Sequence, residues 1–250
     1  MRTHSKAGKE PAVPSEPGKS AKEERIYAVL TGDIVGSSRT LEMRRKYLLD
    51  AMKSSFEIVT RLSPSAIAAS FEIYRGDSFQ GVLSRPETAL RTAIALRAAL
   101  RRFLKGALHR HTQDARIAIG IGTVDYLAAQ KASEGDGDAY RRSGPLLDAM
   151  KGNRRLRIST PWPRIDEELG VSCSLLDALI ERWSSEQAEA MLGLLQGRTQ
   201  EAIAQDLGIS QPAVVQRLKA AGGWAVEAFC IRYELLIREA IERGIPQSGA

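Results

Sequence analysis

Apolar positions follow two periods along this chain, and the change from one to the other marks the predicted elements. Residues 26–31 form a short, nearly continuous apolar run, the pattern of a central strand buried on both faces. The stretch Gly32-Asp33-Ile34-Val35-Gly36-Ser37-Ser38 then reads as a loop carrying two glycines and two hydroxyls. Over 40–62, Leu41, Leu48, Met52, Phe56, Val59 and Leu62 recur at helical spacing. The β-type runs 67–74 and 78–83, divided by Arg75-Gly76-Asp77, predict a hairpin. Pro86 suits the first turn of a helix over 86–104, with Leu90, Ile94, Leu96 or Arg97, Leu100 and Leu104 facing inward. Residues 115–122 alternate as a strand, 138–151 as a helix, and 155–159 supply a last short strand.

The order β-α-β-β-α-β followed by α-β predicts an α+β fold, a ferredoxin-like, palm-like antiparallel sheet with helices on one face. Pro161-Trp162-Pro163 interrupts it, and everything beyond is helical in pattern. The expected organisation is therefore a disordered tail over 1–25, an α+β domain over 26–160, and a helical domain over 161–250. The tail is rich in Lys, Glu, Pro, Ser and Gly and lacks the apolar core of a signal peptide. No apolar run reaches the roughly 20 residues that cross a bilayer, so a cytoplasmic protein is expected. Cys173 and Cys230 sit in apolar helical surroundings and read as small core residues rather than ligands or a disulfide. The net charge of +6 favours polyanionic partners only weakly. Two arginine clusters, Arg97/Arg101/Arg102 with Lys105 and Arg154/Arg155/Arg157, read as solvated faces flanking the core.

The segment 199–222, TQEAIAQDLGISQPAVVQRLKAAG, has a steric role at most positions. Thr199 suits an N-cap, Ala204 is small where two helices cross, and Gly208 permits a left-handed turn. Ile209 fills the space between the helices, Ser210 caps the second, Pro212 fits its first turn, and Val214 and Leu218 bury one face. Gln211, Ala213, Gln216 and Arg217 are then left to face a major groove, with Arg198 and Lys219 on phosphates. A helix over 184–196 completes a three-helix core. The segment resembles the helix-turn-helix of sigma region 4 and the LuxR type, which implies double-stranded DNA as partner. A last helix over 223–243 is wide in its apolar surface, enough to pack back on the first domain or to form a homodimer.

In the first domain, Asp33 follows the first strand and Asp77 lies in the hairpin, each in a Gly-Asp pair that by itself equally suits a turn. A ferredoxin-like sheet sets the first and third strands side by side, so both carboxylates come to one edge, within reach of Mg²⁺ and a nucleotide triphosphate. The backbone of Ile34, Gly36, Ser37 and Ser38, leading into a helix, suits phosphates. Gly120 and Gly122 read as points of close backbone approach. His4, His109 and His111 have no ligand spacing around them.

The segments TGDIVGSS (31–38), YRGDSFQGVL (74–83), RIAIGIGTVDY (116–126) and EGDGDAYRRSG (134–144) resemble the SatD family of bacterial proteins, and more distantly class III nucleotidyl cyclases. The cyclase resemblance implies that Asp33 and Asp77 are the metal-binding aspartates. It departs where a purine-reading Lys is Ile73, and where the Asn and Arg of the helix after Gly137-Asp138-Ala139 are missing. Arg141 and Arg142 are the residues able to replace them in part on phosphate. The combined reading is a DNA-binding transcriptional regulator whose first domain binds a nucleotide or divalent metal, with no catalytic residue assigned. A metal-dependent, cyclase-like enzyme is the alternative, and a protein-interaction module the second.

Overall fold

The computed structural model describes residues 25–36, 42–105, 114–128 and 131–246, with the side chains of 42–44 and 128 left aside. At its centre is β1 (Ile26–Ile34), antiparallel to both β3 (Ser78–Leu83) and β4 (Ala115–Thr123). Outside β3 runs β2 (Ile67–Arg75), and β7 (Leu156–Ser159) lies parallel to β4, giving the order β2-β3-β1-β4-β7. The first strand is longer than its apolar run. Ladder pairing runs to Asp33 on the β3 side and to Ile34 on the β4 side, so Asp33 belongs to the strand and not to a loop after it. A second, two-stranded sheet of β5 (Tyr126–Ala128) and β6 (Lys131–Asp136) has no counterpart in the apolar pattern.

Helices cover both faces of the sheet, where one covered face was expected. Against Ala28, Leu30, Phe79, Ile117, Ile119 and Ile121 pack α1 (Glu42–Leu62) and α2 (Ala89–Phe103). Against the other face lie α3 (Asp138–Asp148) and the β5–β6 hairpin. The second face was masked because it is built from small and polar residues. A Cβ on Gly120 would stand 2.1 Å from the Ala139 carbonyl oxygen, and one on Gly122 2.5 Å from Asp138 Oδ2. Close approach is therefore what these glycines permit. Buried hydroxyls complete the contact: Thr31 and Ser143 share a hydrogen bond of 3.0 Å, and Gln80 donates to Thr31 at 2.8 Å.

The remaining chain is helical: α4 (Pro163–Glu181), α5 (Ser185–Leu195), α6 (Gln200–Leu207), α7 (Gln211–Ala220) and α8 (Gly223–Arg243). Its apolar faces join those of the sheet in one continuous core. The last helix packs back on the first half: the Tyr233 hydroxyl donates to the Pro86 carbonyl at 2.9 Å, and Arg91 pairs with Glu234 at 3.1 Å. Buried Trp183 donates to the Ala221 carbonyl at 2.9 Å, tying the start of α5 to the end of α7.

Two of the arginines expected on a solvated face lie in the interior. Arg97 is fully buried and forks onto Asp114 at 2.9 and 2.9 Å, with its third nitrogen on Asp177 at 2.6 Å. Arg101 reaches Asp114 at 3.0 Å and the Trp183 carbonyl at 3.3 Å. Asp177, on α4, also accepts the Arg155 and Leu156 backbone N–H groups at 2.8 and 3.1 Å. Arg102 and Lys105 stay at the surface and pair with Glu189 and Glu186 of α5. Burial opposes the charge on Arg97, but Asp114 and Asp177 outweigh it and hold the guanidinium above its ordinary pKa. Against the same opposition, Arg97 and Arg101 hold the Asp114 carboxyl below its own. Removing one partner from such a set leaves buried charge unmatched, at a cost of about 3–5 kcal/mol. Asp177→Ala is expected to lower the unfolding free energy by about that amount, read from the urea midpoint at unchanged slope; a shift under about 1 kcal/mol would mean that the network is dispensable.

Candidate functional site

A two-residue turn, Gly76-Asp77, closes the β2–β3 hairpin between the paired Arg75 and Ser78. Gly76 has φ +62°, a left-handed value that glycine adopts without a Cβ clash. The turn delivers Asp77 to the end of β1, where its Oδ2 accepts the Ile34 backbone N–H at 3.2 Å. Asp33 pairs across the ladder with Ser78 on one side and Arg116 on the other. Asp33 and Asp77 thus converge on one edge of the sheet, as their spacing predicts.

The cation on that edge is Arg116, which sequence reasoning passed over. Its Nε donates to Asp33 Oδ1 at 2.8 Å, its Nη2 donates to Asp33 Oδ2, and its Nη1 donates to the Met150 carbonyl at 3.0 Å. The hydrogen-bonded Asp33 carboxylate, with Asp77 and Asp148 adding their fields, raises Arg116 above its ordinary pKa. The available signal was register. Once β1 and β4 are aligned so that Leu30 faces Ile119, Arg116 falls opposite Asp33. Tyr74 borders the same edge, its phenol pushed up by burial and by the carboxylates of Asp148 and Asp33, with Ser78 opposing.

Of the residues proposed for phosphate, Ile34 and Gly36 lie at this edge, with the Ile34 N–H taken by Asp77, whereas Arg141 and Arg142 lie away from it. The first turns of α3 lie over Gly122 and Gly120, and Gly120 is four residues along β4 from Arg116, about 13 Å at the usual rise per strand residue. Arg141 there bridges Asp125 and Asp136 at 3.2 and 3.1 Å, and Arg142 bonds Asp138 at 2.7 Å and the Thr160 carbonyl at 2.8 Å. At the Asp33 end, the Val35 N–H is taken by the Asp114 carbonyl at 3.0 Å, and Gly36 is exposed. Ser37 and Ser38 lie outside the described residues, as do His4, His109 and His111.

A divalent ion does not fit this arrangement. Each oxygen of Asp33 accepts from Arg116, and a metal bonded to Asp33 would sit beside that fixed positive charge. Among the described residues no group of three His, Cys, Asp or Glu side chains is placed to hold a metal ion.

The second candidate surface lies on α6 and α7. Thr199 caps α6 by accepting the Ala202 N–H at 3.2 Å, and Gly208 ends it at φ +63°. After Ile209, Ser210 opens α7 through its backbone carbonyl, which accepts the Ala213 and Val214 N–H groups at 3.0 and 3.2 Å; its hydroxyl makes no cap bond. Val214 and Leu218 are buried. Gln211, Val215, Gln216 and Lys219 form the exposed stripe, while Ala213 and Arg217 are half-buried. Arg217 lies 3.8 Å from Glu189 of α5, and Arg198 pairs with Asp206 and donates to the Ala202 carbonyl at 3.3 Å.

No family model matches the chain, and no curated protein matches it either. Solved structures give partial likenesses. One is a bacterial light-regulated adenylyl cyclase, at 17% identity and TM-score 0.39, covering 54% of this chain and 42% of that one. Another is the guanylate cyclase domain of RhGC from Catenaria anguillulae in complex with GTP, at 18% identity and TM-score 0.38, covering 56% of this chain and 80% of that one. A third is the active GGEEF domain of a diguanylate cyclase from Vibrio cholerae, at 17% and 0.37, covering 54% and 83%. The chain thus spans less than half the length of the light-regulated cyclase. No helix among the described residues is long and apolar enough to cross a membrane.

The cysteines take no part in either surface. Burial pushes the Cys230 thiol up to about 12 and raises that of Cys173 as well, with Asp177 adding to the shift at Cys173. Since the thiolate is the reactive form, a disulfide exchange reagent at pH 8 is expected to label neither thiol in the folded protein and both after denaturation. Rapid labelling of the native chain would show that the helical core opens.

Proposed function

We propose that this chain is a cytoplasmic DNA-binding regulator in which α7 enters the major groove of double-stranded DNA and the α+β half is the body that positions it. The observation that carries the reading is the α6–α7 unit. Two helices are joined through left-handed Gly208, Ile209 is tucked between them, and α7 keeps its apolar face inward on α5 while a polar stripe stays open. That is the arrangement of a helix-turn-helix, whose second helix reads base edges. On the exposed stripe, a Gln amide suits the two-point pattern of adenine, Val215 suits a thymine methyl, and Lys219 suits a phosphate. Arg217 and Arg198, each with an acidic neighbour, are secondary contributors. Groove readers of this kind usually bind as two copies on paired half-sites, and a homodimer on DNA is part of the reading.

A second reading, a metal-dependent nucleotidyl-transfer enzyme, is favoured by the meeting of Asp33 and Asp77 at one sheet edge. It requires Arg116 to release Asp33. A nucleotide held without metal by the α+β half remains compatible with the first reading, since guanidinium groups bind phosphate directly.

Selection of duplexes from a random library, followed by mobility shifts, tests the first reading. Gln216→Ala is expected to relax the preference at one base pair by about 1–3 kcal/mol. Lys219→Ala is expected to weaken all duplexes alike and to lower the salt slope by about one. Failure to enrich any duplex, or binding indifferent to both substitutions, would remove α7 from the role. For the second reading, purified protein with Mg²⁺ or Mn²⁺ and each of the four ribonucleoside triphosphates is expected to release no pyrophosphate. Release that Asp77→Asn abolishes would establish the enzyme in place of the regulator.

A further inference from the structure

We propose that Arg116 is the resident cation of the Asp33–Asp77 edge, standing where a divalent ion would otherwise neutralise the two carboxylates, and that it keeps metal out of this half of the protein. The inference goes beyond the role given to α7 and does not depend on it.

Three observations carry it. First, the contact is built into the sheet: Asp33 and Arg116 are direct cross-strand partners on β1 and β4, so the ladder itself brings the two side chains together. Second, the guanidinium forks onto both oxygens of Asp33 and spends its remaining arm on the Met150 carbonyl, just beyond α3. It is therefore held from two directions, by the sheet and by the segment after α3. A planar fork matched to a carboxylate is the geometry that gives an arginine pair its specificity. Third, the neighbouring charges, Asp77 and Asp148, are both negative and both act on Arg116. An edge with three carboxylates needs a cation close by, and the chain supplies one covalently. A divalent ion bonded to Asp33 would have to displace the guanidinium or lie against it, and like charges at such a distance repel strongly when water is partly excluded.

The competing candidates carry less. The apolar groove between α4 and α8, lined by exposed Leu175 with Leu179 and Phe229, has nothing over it that identifies an occupant. The polar groove beside Arg154 and Arg157 has exposed arginines with no bound group to interpret.

The test measures metal directly on the full chain, without nucleotide or DNA, so its outcome is separable from that of the duplex-binding experiments. Free Mn²⁺ is followed by its electron paramagnetic resonance signal as protein is added. The wild-type chain is expected to leave the signal unchanged at millimolar metal, apart from weak binding that Asp33→Asn does not alter. Arg116→Ser is expected to bind one Mn²⁺ at least about tenfold more tightly, because a fixed positive charge has gone while the carboxylates remain. The double variant Arg116→Ser with Asp33→Asn is expected to lose that gain. Stoichiometric binding by the wild-type chain that Asp33→Asn abolishes would overturn the proposal. So would an Arg116→Ser variant that is folded by circular dichroism yet binds no better than wild type. Should Arg116→Ser fail to fold, Arg116→Gln, which is uncharged and shorter but keeps an aliphatic stem and two N–H donors, is judged by the same two outcomes, and the wild-type titration with its Asp33→Asn control decides if neither variant folds.

Discussion

The joint between the sheet and the helical half is a buried set of two arginines and two aspartates, and the placement of both candidate surfaces depends on it. Arg97 and Arg101 of α2 meet Asp114 at the start of β4 and Asp177 of α4, with side-chain exposures from 0% to 6%. The set is neutral as a whole, and its carboxylates take further hydrogen bonds from backbone at Ala115, Arg155 and Leu156. Burying four charges costs desolvation that their attraction repays only when the geometry is good, so an apolar joint of equal volume would be about as stable. What ions add is direction. A hydrophobic contact tolerates sliding, whereas a guanidinium forked onto one carboxylate and capped by another is satisfied in one arrangement. The core fixes that the halves associate, and this network fixes how.

The second constraint is the pairing of β1 with β4. Register sets Arg116 opposite Asp33, sets Gly120 and Gly122 under α3, and places Asp114 where its carbonyl holds the Val35 N–H at the end of β1. One slip along the ladder would undo all three, because adjacent strand residues face opposite sides of the sheet. The isoleucines of β4 enforce the register from the α1–α2 face. Ile117, Ile119 and Ile121 are all fully buried, and a one-residue shift would move them to the side where α3 leaves no room for side chains. The polar edge is therefore held in place by the apolar face behind it.

How much of this was legible follows from the range of the interaction involved. Local signals read well: the Gly76-Asp77 turn, the left-handed Gly208 and the buried pair Val214 and Leu218 all rest on neighbours within a few residues, whereas glycine in a strand marked the close approach at Gly120 and Gly122 without naming Ala139 and Asp138 as what approaches. The meeting of Asp33 and Asp77 was also legible, because it needs only the hairpin and the adjacency of β1 and β3. Arg97 read two ways, as a core-side position by helical period and as part of a charged face, because its partners are 17 and 80 residues away. Period alone does not bury a charge; the partners that decide it must first be placed. Arg116 was missed because pairing depends on register, and alternation along β4 identifies the side it faces but not its opposite number. Arg141 and Arg142 were grouped with the aspartates through the cyclase resemblance, whereas the direction of α3 puts its first turns at the far end of β4.

These contacts form one physical route from the acidic edge to α7. Asp114 lies two residues before Arg116, and its carboxylate grips Arg97 and Arg101 on α2. The end of α2 pairs through Arg102 and Lys105 with Glu189 and Glu186 of α5, and Glu189 faces Arg217 on α7. A route of contacts is not yet a switch, because coupling needs an element with two arrangements that both sites bias. A neutral, buried joint whose charges are matched is a poor candidate for that element. The surface pairs along α2 and α5 are weaker and salt-screened, and they can exchange partners at little cost. A ligand on the α+β half that left the buried joint intact would leave the α7 stripe where it stands. Along this route the α2–α5 contact is the weakest link, because its pairs are exposed enough to break and lie next to the Glu189–Arg217 pair.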